Sequence, residues 1–597
     1  MHRTIMGFYL LLACLVQAER NIPANVFPLT LGPHGSNFDD VVDALELMQR
    51  LDRGVDMDIN GKTYFVCIPF LAFIGDMPQQ QLNGGFLGPT ANFNCRFCTI
   101  DAPRRGNLDF NIVHSGRYHF EVMRQRQHMD SVWQKTHHEA FARANGMRVE
   151  FPALKKLAPC NPINIDCPGD MAHSEAGGIT ELLHLAILDQ VLTPQAAIGY
   201  TQKVRSFPFP PGWNRIQSPL FYIGSYTLQE HARWSVIIPV LFRLWLRASH
   251  IKPTFLQEAH IVFSTEVLEL AAVENPKLPT NDHIVTILVK AVASVAKVNT
   301  LLSAAYLTTA ERASLHMEIT ASRSMFQRLC EVASRAAAIQ TRAFSRVGSR
   351  TGSVEPGSST QPTQTPMSTI TASTTPVAIT KKEAASTKNK AAGYRNNISR
   401  PNVHAALHYP LVQDQYALVS NVHALGGELK HRSYKKNILR TNKKHPEKDL
   451  LEIESFTMTL RFLLHGSFQV THPALSAQFQ NLRVRCPQLF TSLMPHATIA
   501  QLQVVPGATG AGELDADHDI SLATREDDTH RQPSVLGRIP NKYVEQTLQL
   551  PVSVSKFSAG FRAKIFRSYS ADYKMPVNHP GTRRLRWWKK VSFVFCL

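Results

Sequence analysis

The stretch "FLAFIGDMPQQQLNGGFLGPTANFNCRFC" (Phe70–Cys98) decides how this chain is read. An apolar run from Tyr64 to Ile74, rich in aromatic and β-branched residues, ends on Gly75-Asp76-Met77-Pro78. Such a run predicts a strand buried on both faces and halted by the Gly and the Pro. Asp76 then sits at the strand's C-terminal end, where an isolated carboxylate ordinarily starts a turn. Cys95 and Cys98 follow in Cys-x-x-Cys spacing. They make half of a metal site, and the other half must come from elsewhere in the chain.

The missing half is found far downstream. His404 and His408 are four residues apart, so on a helix both imidazoles face one side. Two thiolates and two imidazoles make a tetrahedral four-ligand set for one structural Zn²⁺. Cys160 and Cys167 flank "NPINID" and are also compatible with metal binding. Cys14, Cys67, Cys330 and Cys596 stand singly in apolar surroundings and are read as buried free thiols. Nine cysteines in 597 residues do not form a disulfide framework.

Length and a 44% apolar composition allow several domains with large cores. Lysine and arginine outnumber acids by 64 to 46, a net charge of +18, which favours a polyanionic partner. The start, "MHRTIMGFYLLLACLVQAER", has two readings: a secretory signal with a cleavage site near Val16-Gln17-Ala18, or an internal strand. "NVFPLTLGP" reads as a second strand. The longest apolar run elsewhere, Trp234 to Leu246, is too short to span a membrane and contains Pro239 and Arg243. No membrane span is expected.

Residues 1–177 predict strands, a helix capped by Ser36, a hairpin at Asn60-Gly61, and the Asp76 and Cys-x-x-Cys motifs. Residues 178–346 carry apolar residues at helical spacing and predict an all-helical domain. Residues 347–393, dense in Ser, Thr and Pro, predict a disordered linker, or a glycosylated one if the chain is secreted. Residues 394–502 resume ordered sequence with the two histidines, Glu428 and a basic run. A flexible polar segment (503–549) and a basic C-terminal segment (550–597) close the chain.

The order Gly-Asp-x-Pro, Cys-x-x-Cys, long helical stretch, His-x-x-x-His and then Glu428 resembles CACTA-type DNA transposases, fungal copies in particular. It is also similar to the related V(D)J recombinase core. Cys95 follows Asp76 by 19 residues and Glu428 follows His408 by 20, intervals that fit. "LTLGPHGSNFDDVVDAL", "FPFPPGW", "QEHARWSVIIP" and "GELKHRSYKK" carry the same resemblance. It implies an α+β fold: an RNase H-like catalytic core interrupted by a large all-helical insertion that zinc pins to the sheet. It implies a DDE site in which Asp76 and Glu428 hold Mg²⁺ or Mn²⁺ for DNA strand cleavage and joining. DNA as partner, a nuclear location and a possible homo-oligomer follow.

Lys430, Arg432, Lys435, Lys436, Arg440, Lys443 and Lys444, with His431 among them, directly follow Glu428. Beside a catalytic Glu they are read as DNA-phosphate contacts, the bland alternative being a solvated basic face. "RRLRWWKK" (Arg583–Lys590) is open to DNA contact or to a strand with exposed charges. Asp170, His173 and Glu175 are read as a polar turn opening the helical domain, with no catalytic role, although the family has an Asp-x-x-His near this place. The family's first catalytic Asp precedes a segment like "YLLLACLV". No acid stands there in this chain, and Asp39 and Asp40 read as helix-start caps. The expectation is therefore an N-terminally truncated, inactive relic that still binds DNA, with "WWKKVSFVFCL" read as a truncated or frame-shifted end. The alternatives are a non-catalytic DNA-binding protein on the same fold and a secreted glycoprotein.

Overall fold

The structure, a computed structural model, describes residues 5–33, 38–350, 381–493 and 593–596. Short stretches within those spans are excepted: 60, 133, 153, 158–165, 210–212, 214, 274–278, 442–443 and 492. The architecture is mixed helix and strand, predominantly helical with two small sheets. That agrees with the α+β expectation at the level of class.

The larger sheet has the strand order β2-β1-β6-β5. β1 (Ile5–Leu12) and β2 (Val26–Pro33) run antiparallel, with a register irregularity between Phe8 and Tyr9. β5 (Phe70–Ile74) forms one edge, and β6 (Phe593–Cys596) lies between β1 and β5, antiparallel to the first and parallel to the second. Thus the apolar start of the chain is a sheet strand. The Tyr64–Ile74 run is not one strand. β3 (Val55–Ile59) and β4 (Lys62–Val66) form a separate, largely exposed hairpin, and β5 begins only at Phe70. Pro69 separates the two, since it has no N–H for a ladder and fixes its own φ.

Alternation along the strands divides the core into two layers. Phe8 and Phe73 pack on one face with Phe38, Val42, Leu154 and Leu157, joined by Phe70 across a register irregularity between Phe70 and Ala72. Tyr9, Leu11, Ala72 and Ile74 pack on the other with Met171, Leu407, Val419 and Val422. A sheet apolar on both faces needs helices on both sides, and the second side draws on residues some 400 positions later. Long-range hydrogen bonds fasten these two parts. Arg20 donates to the Asn421 side chain at 2.7 Å, and Gln17 donates to the Ser420 carbonyl at 2.9 Å.

The helical domain is built around Trp234, Phe242, Phe255, Ile287 and Phe326. Its helix Leu228–Trp245 starts in a capping box, with Thr227 and Glu230 satisfying each other's backbone N–H groups. Helix Asn281–Ser303, with mean hydropathy 1.6, is long and apolar enough to cross a membrane, which corrects the expectation that no segment is. Here Ile287, Ala291 and Val295 are buried in the helical core, and Val298, Leu301 and Leu302 in the layer against the sheet.

Two boundaries differ from expectation. Helix Thr309–Arg350 runs into the expected linker, and helix Lys381–Asn397 begins within it. Tyr394 and Lys390 of that helix bond to Asp189 at 2.8 and 2.7 Å, and Ser334 donates to the Ala391 carbonyl at 2.8 Å. Composition misled because a helix can be held by polar anchors as well as by an apolar face. Among the lone cysteines, Cys330 is buried, whereas Cys14 and Cys67 are only half-buried. The side chain of Cys596, the segment 503–549 and Arg583–Lys590 lie outside what the structure describes.

Candidate functional site

Cys95 and Cys98 lie on a loop that turns back on itself. Thr99 N donates to Ser115 O at 2.9 Å and Arg117 N donates to Phe97 O at 2.8 Å, closing a small antiparallel knuckle around Cys98 and Gly116. The Arg117 guanidinium, buried, donates through Nε to the carbonyls of Cys95 (2.8 Å) and Cys98 (3.1 Å). Arg96 is also buried and reaches the opposite way, to Cys167 O at 2.6 Å and to the Gln80 side chain at 2.7 Å. Two arginines therefore fix the backbone that presents the thiols.

His404 comes from helix Pro401–Ala405 and His408 from the 3₁₀ turn that follows it. Pro401 at the first turn sets the helix start. Phe97 stacks on His408 with ring centroids 4.9 Å apart, and Phe110 meets His404 edge-on at 6.1 Å. The four donor atoms all lie within 4.8 Å of one another. Cys98 Sγ is 3.1 Å from His404 Nε2, Cys95 Sγ is 3.5 Å from His408 Nε2, and the two Nε2 atoms are 3.1 Å apart.

These distances test the fit of zinc. A tetrahedron with Zn–S of about 2.3 Å and Zn–N of about 2.0–2.1 Å needs S···N near 3.5 Å and N···N near 3.3 Å. The three distances fall within about 0.4 Å of that geometry, and both histidines offer the same ring nitrogen. A Phe97 N–H donates to Cys95 Sγ at 3.4 Å, the kind of bond that favours a thiolate. Burial opposes charge on the Cys95 thiol, but Cys98 and both histidines outweigh it and hold the group well below the ordinary thiol range. Burial lowers the His408 pKa, which keeps a neutral nitrogen available. Among the described residues this is the only such cluster of His, Cys, Asp and Glu. Cys167 is a buried thiol pushed up to about 12 by desolvation, and Cys160 lies outside the described residues.

Asp76 stands two residues beyond β5, where the sequence places it. It is the N-cap of helix Met77–Asn83, accepting from Gln79 N at 2.8 Å. The turn-starting role is therefore present. Glu428 lies in the first turn of helix Leu425–Asn437 and is 40% exposed. His173 Nε2 is 4.0 Å from Glu428 Oε1.

His173 and Asp170 are more than a polar turn. Asp170 is buried and accepts from His173 Nδ1 (2.5 Å), from the N–H groups of Ala172 and His173, and from Ala424 N at 2.9 Å. It thereby joins the start of the helical domain to the segment leading into the Glu428 helix. Burial works against a charged His173, but Asp170, then Glu428 and Asp76, outweigh it and raise its pKa to about 9. The Asp-x-x-His spacing was visible in the sequence but read as a polar turn, because the role of Asp170 shows only once its distant partner, Ala424 N, is known. Glu175 belongs elsewhere: it is buried against Arg323 in an ion pair inside the helical domain.

The basic run divides. Lys430 is buried, with Nζ 2.6 Å from Glu454 and 3.0 Å from Pro23 O, so it is corrected from a DNA contact to an internal tie. One face of an amphipathic helix must turn inward, and a run of cations does not reveal which. Arg432, Lys435 and Lys436 are exposed. Arg432 faces Arg233 of the helical domain closely enough to depress the Arg233 pKa, after burial and against Glu230. Arg440 lies in a 3₁₀ turn, Lys444 follows at the surface, and Lys443 lies outside the described residues. No protein-family model, curated protein or solved structure matches this chain.

Proposed function

We propose that this chain is a transposable-element-derived protein of the DDE transposase class, CACTA-type, that binds DNA through the face beyond Glu428. The observation that carries the reading is the meeting of Cys95 and Cys98 with His404 and His408 across some 300 residues of sequence. The resemblance requires that meeting, and nothing local enforces it. One Zn²⁺ on those four ligands would tie the segment after Asp76 to the segment before Glu428.

Asp76 and Glu428 both act on one imidazole, so their carboxylates converge on one place, and hard oxygen donors of that kind suit Mg²⁺ or Mn²⁺. When bound, such ions activate an attacking oxygen and stabilise a leaving one at phosphorus. Asp76 and Glu428 would hold them, while Asp170 keeps His173 oriented. A third ligand does not come from Asp170, since its oxygens are committed to His173 and to backbone N–H groups. We therefore infer weak or absent strand cleavage with retained DNA binding, in a nuclear protein. Exposed Arg432, Lys435 and Lys436 supply the cations that phosphate contact requires.

Fluorescence anisotropy with random duplex DNA across a salt series tests the binding. A steep fall in affinity with salt is expected, and no binding at low salt would overturn the reading. An Mn²⁺-supported nicking assay beside Asp76→Ala tests the site, with little or no nicking expected from either. Nicking by the unmodified chain that vanishes in Asp76→Ala would establish a complete catalytic site and overturn the inference of inactivity.

A further inference from the structure

The larger sheet is completed from a distance. β1, β2 and β5 all fall within the first 74 residues, yet β1 and β5 do not pair with each other. Between them lies β6, residues 593–596, more than 500 positions further along the chain. Its register is defined on both sides. Leu12, Leu11, Leu10 and Tyr9 pair with Phe593, Val594, Phe595 and Cys596 on one edge. Phe70, Ala72, Phe73 and Ile74 pair with the same four residues on the other. Neighbouring strands are about 4.8 Å apart, so without β6 the edges of β1 and β5 would face each other across about twice that distance. Each edge would then present unpaired N–H and C=O groups inside the fold, an arrangement that demands a partner.

We propose that the gap between β1 and β5 is a strand-acceptor slot, and that its occupant is the chain's own segment around Phe593–Cys596, docked as a separable strand. Three observations favour this occupant. The slot is lined on both faces by buried apolar residues, Tyr9, Leu11, Ala72 and Ile74 on one and Phe8 and Phe73 on the other. A strand entering it must be apolar throughout, and "FVFC" is. The pairing is main-chain on both sides, the mode by which a sheet takes up an extended peptide. A four-residue strand is also short for a position inside a sheet, where five or six residues are usual, so it can exchange. Cys596 pairs with Ile74, two residues before Asp76, so occupancy of the slot fixes the end of the strand that carries Asp76. The slot rests on sheet topology and stands whether or not the chain is a transposase.

The test uses the full chain, a chain shortened by deletion of residues 591–597, and a fluorescent peptide of sequence VSFVFCL. The shortened chain should bind the peptide saturably, and the full chain about 10-fold more weakly or worse, because its own strand competes at high effective concentration. A peptide with Val594→Pro should not bind, since it loses a ladder N–H. Equal binding by both chains, or none by a folded shortened chain, would overturn the proposal. Should the shortened chain not fold, the full chain with Leu10→Cys and Phe595→Cys decides. Mild oxidation should cross-link these paired positions within one chain, detected by mass spectrometry of the joined peptides. Absence of the cross-link, or a cross-link only between two chains, would overturn it.

Discussion

Two polar clusters lie at the junction of sheet and helical domain, and they are organised by opposite physics. In the Cys/His cluster, burial is nearly complete and the donors already touch: 3.1 Å between the two histidine nitrogens and 3.1 Å from Cys98 to His404. Burial lowers the His408 pKa there. In the carboxylate cluster His173 Nε2 is 4.0 Å from Glu428 Oε1, and charge wins over burial to raise His173 to about 9. Soft donors of low charge can be packed against one another before a metal arrives. Carboxylates cannot, because they repel each other and keep their water until a cation compensates them. On the proposed reading the first cluster is architecture, and the second is a place where an ion would act.

The largest effect should come from breaking the first cluster. Structural zinc sites are worth about 10 kcal/mol or more of apparent binding free energy, which is folding free energy when the ligands come from distant segments. Cys98→Ser should abolish cooperative unfolding near the wild-type midpoint, as seen by calorimetry, and a strong chelator should do the same to the unmodified chain. Insensitivity to both would make the cluster mere packing.

Next in size is the buried ion pair of Glu175 with Arg323, side chains 1% and 0% exposed. Glu175→Ala leaves a guanidinium uncompensated in the helical domain, and the expected loss is about 3–5 kcal/mol in denaturant unfolding. A loss below about 1 kcal/mol would mean that water reaches Arg323. The carboxylate site, by contrast, should tolerate Glu428→Gln with little loss of stability, because its side chain is partly exposed.

A smaller effect separates the two kinds of histidine. The His173 pKa is raised on folding, so its contribution to stability is fully present below about pH 6.5. That contribution is lost as pH rises through about 9. In Mg²⁺-free buffer, NMR should find one histidine titrating near pH 9, and Asp170→Asn should return it toward the ordinary range. An unchanged titration in that variant would remove Asp170 as the cause.

The smallest change concerns DNA. Lys435→Ala with Lys436→Ala should reduce the slope of log affinity against log salt by up to about 1.8. Lys430→Ala should leave the slope alone and cost stability, because its partners are Glu454 and Pro23. The reverse pattern would place Lys430 at the interface after all.

Much of the first cluster was legible in the sequence, since Cys-x-x-Cys and His-x-x-x-His are spacings dictated by ligand geometry. Their meeting was expected from the resemblance and is realised in the structure. The second cluster was half legible. Asp76 and Glu428 could be given a role, whereas Asp170 and His173 were named but read as a polar turn, because their roles depend on Ala424 N and Glu428, some 250 residues away. Lys430 was misjudged for a related reason: a run of cations on a helix conceals the one that faces inward. The two-sided strand was overdrawn across Pro69, a residue whose missing N–H should have divided it. The role of residues 593–596 in the sheet was beyond reach, because pairing across five hundred residues leaves no periodicity to read.

The central claim is that one zinc joins the segment after Asp76 to the segment before Glu428. Elemental analysis of the purified full chain, with Co²⁺ substitution read by absorption spectroscopy, tests it most directly. About one equivalent of zinc is predicted for this four-ligand set, with Co²⁺ giving the bands of a tetrahedral two-sulfur, two-nitrogen site. Both should be lost in the double variant Cys95→Ser with His408→Ala. Zinc retained at one equivalent in that variant, or a chain purified without zinc that folds normally, would contradict the account.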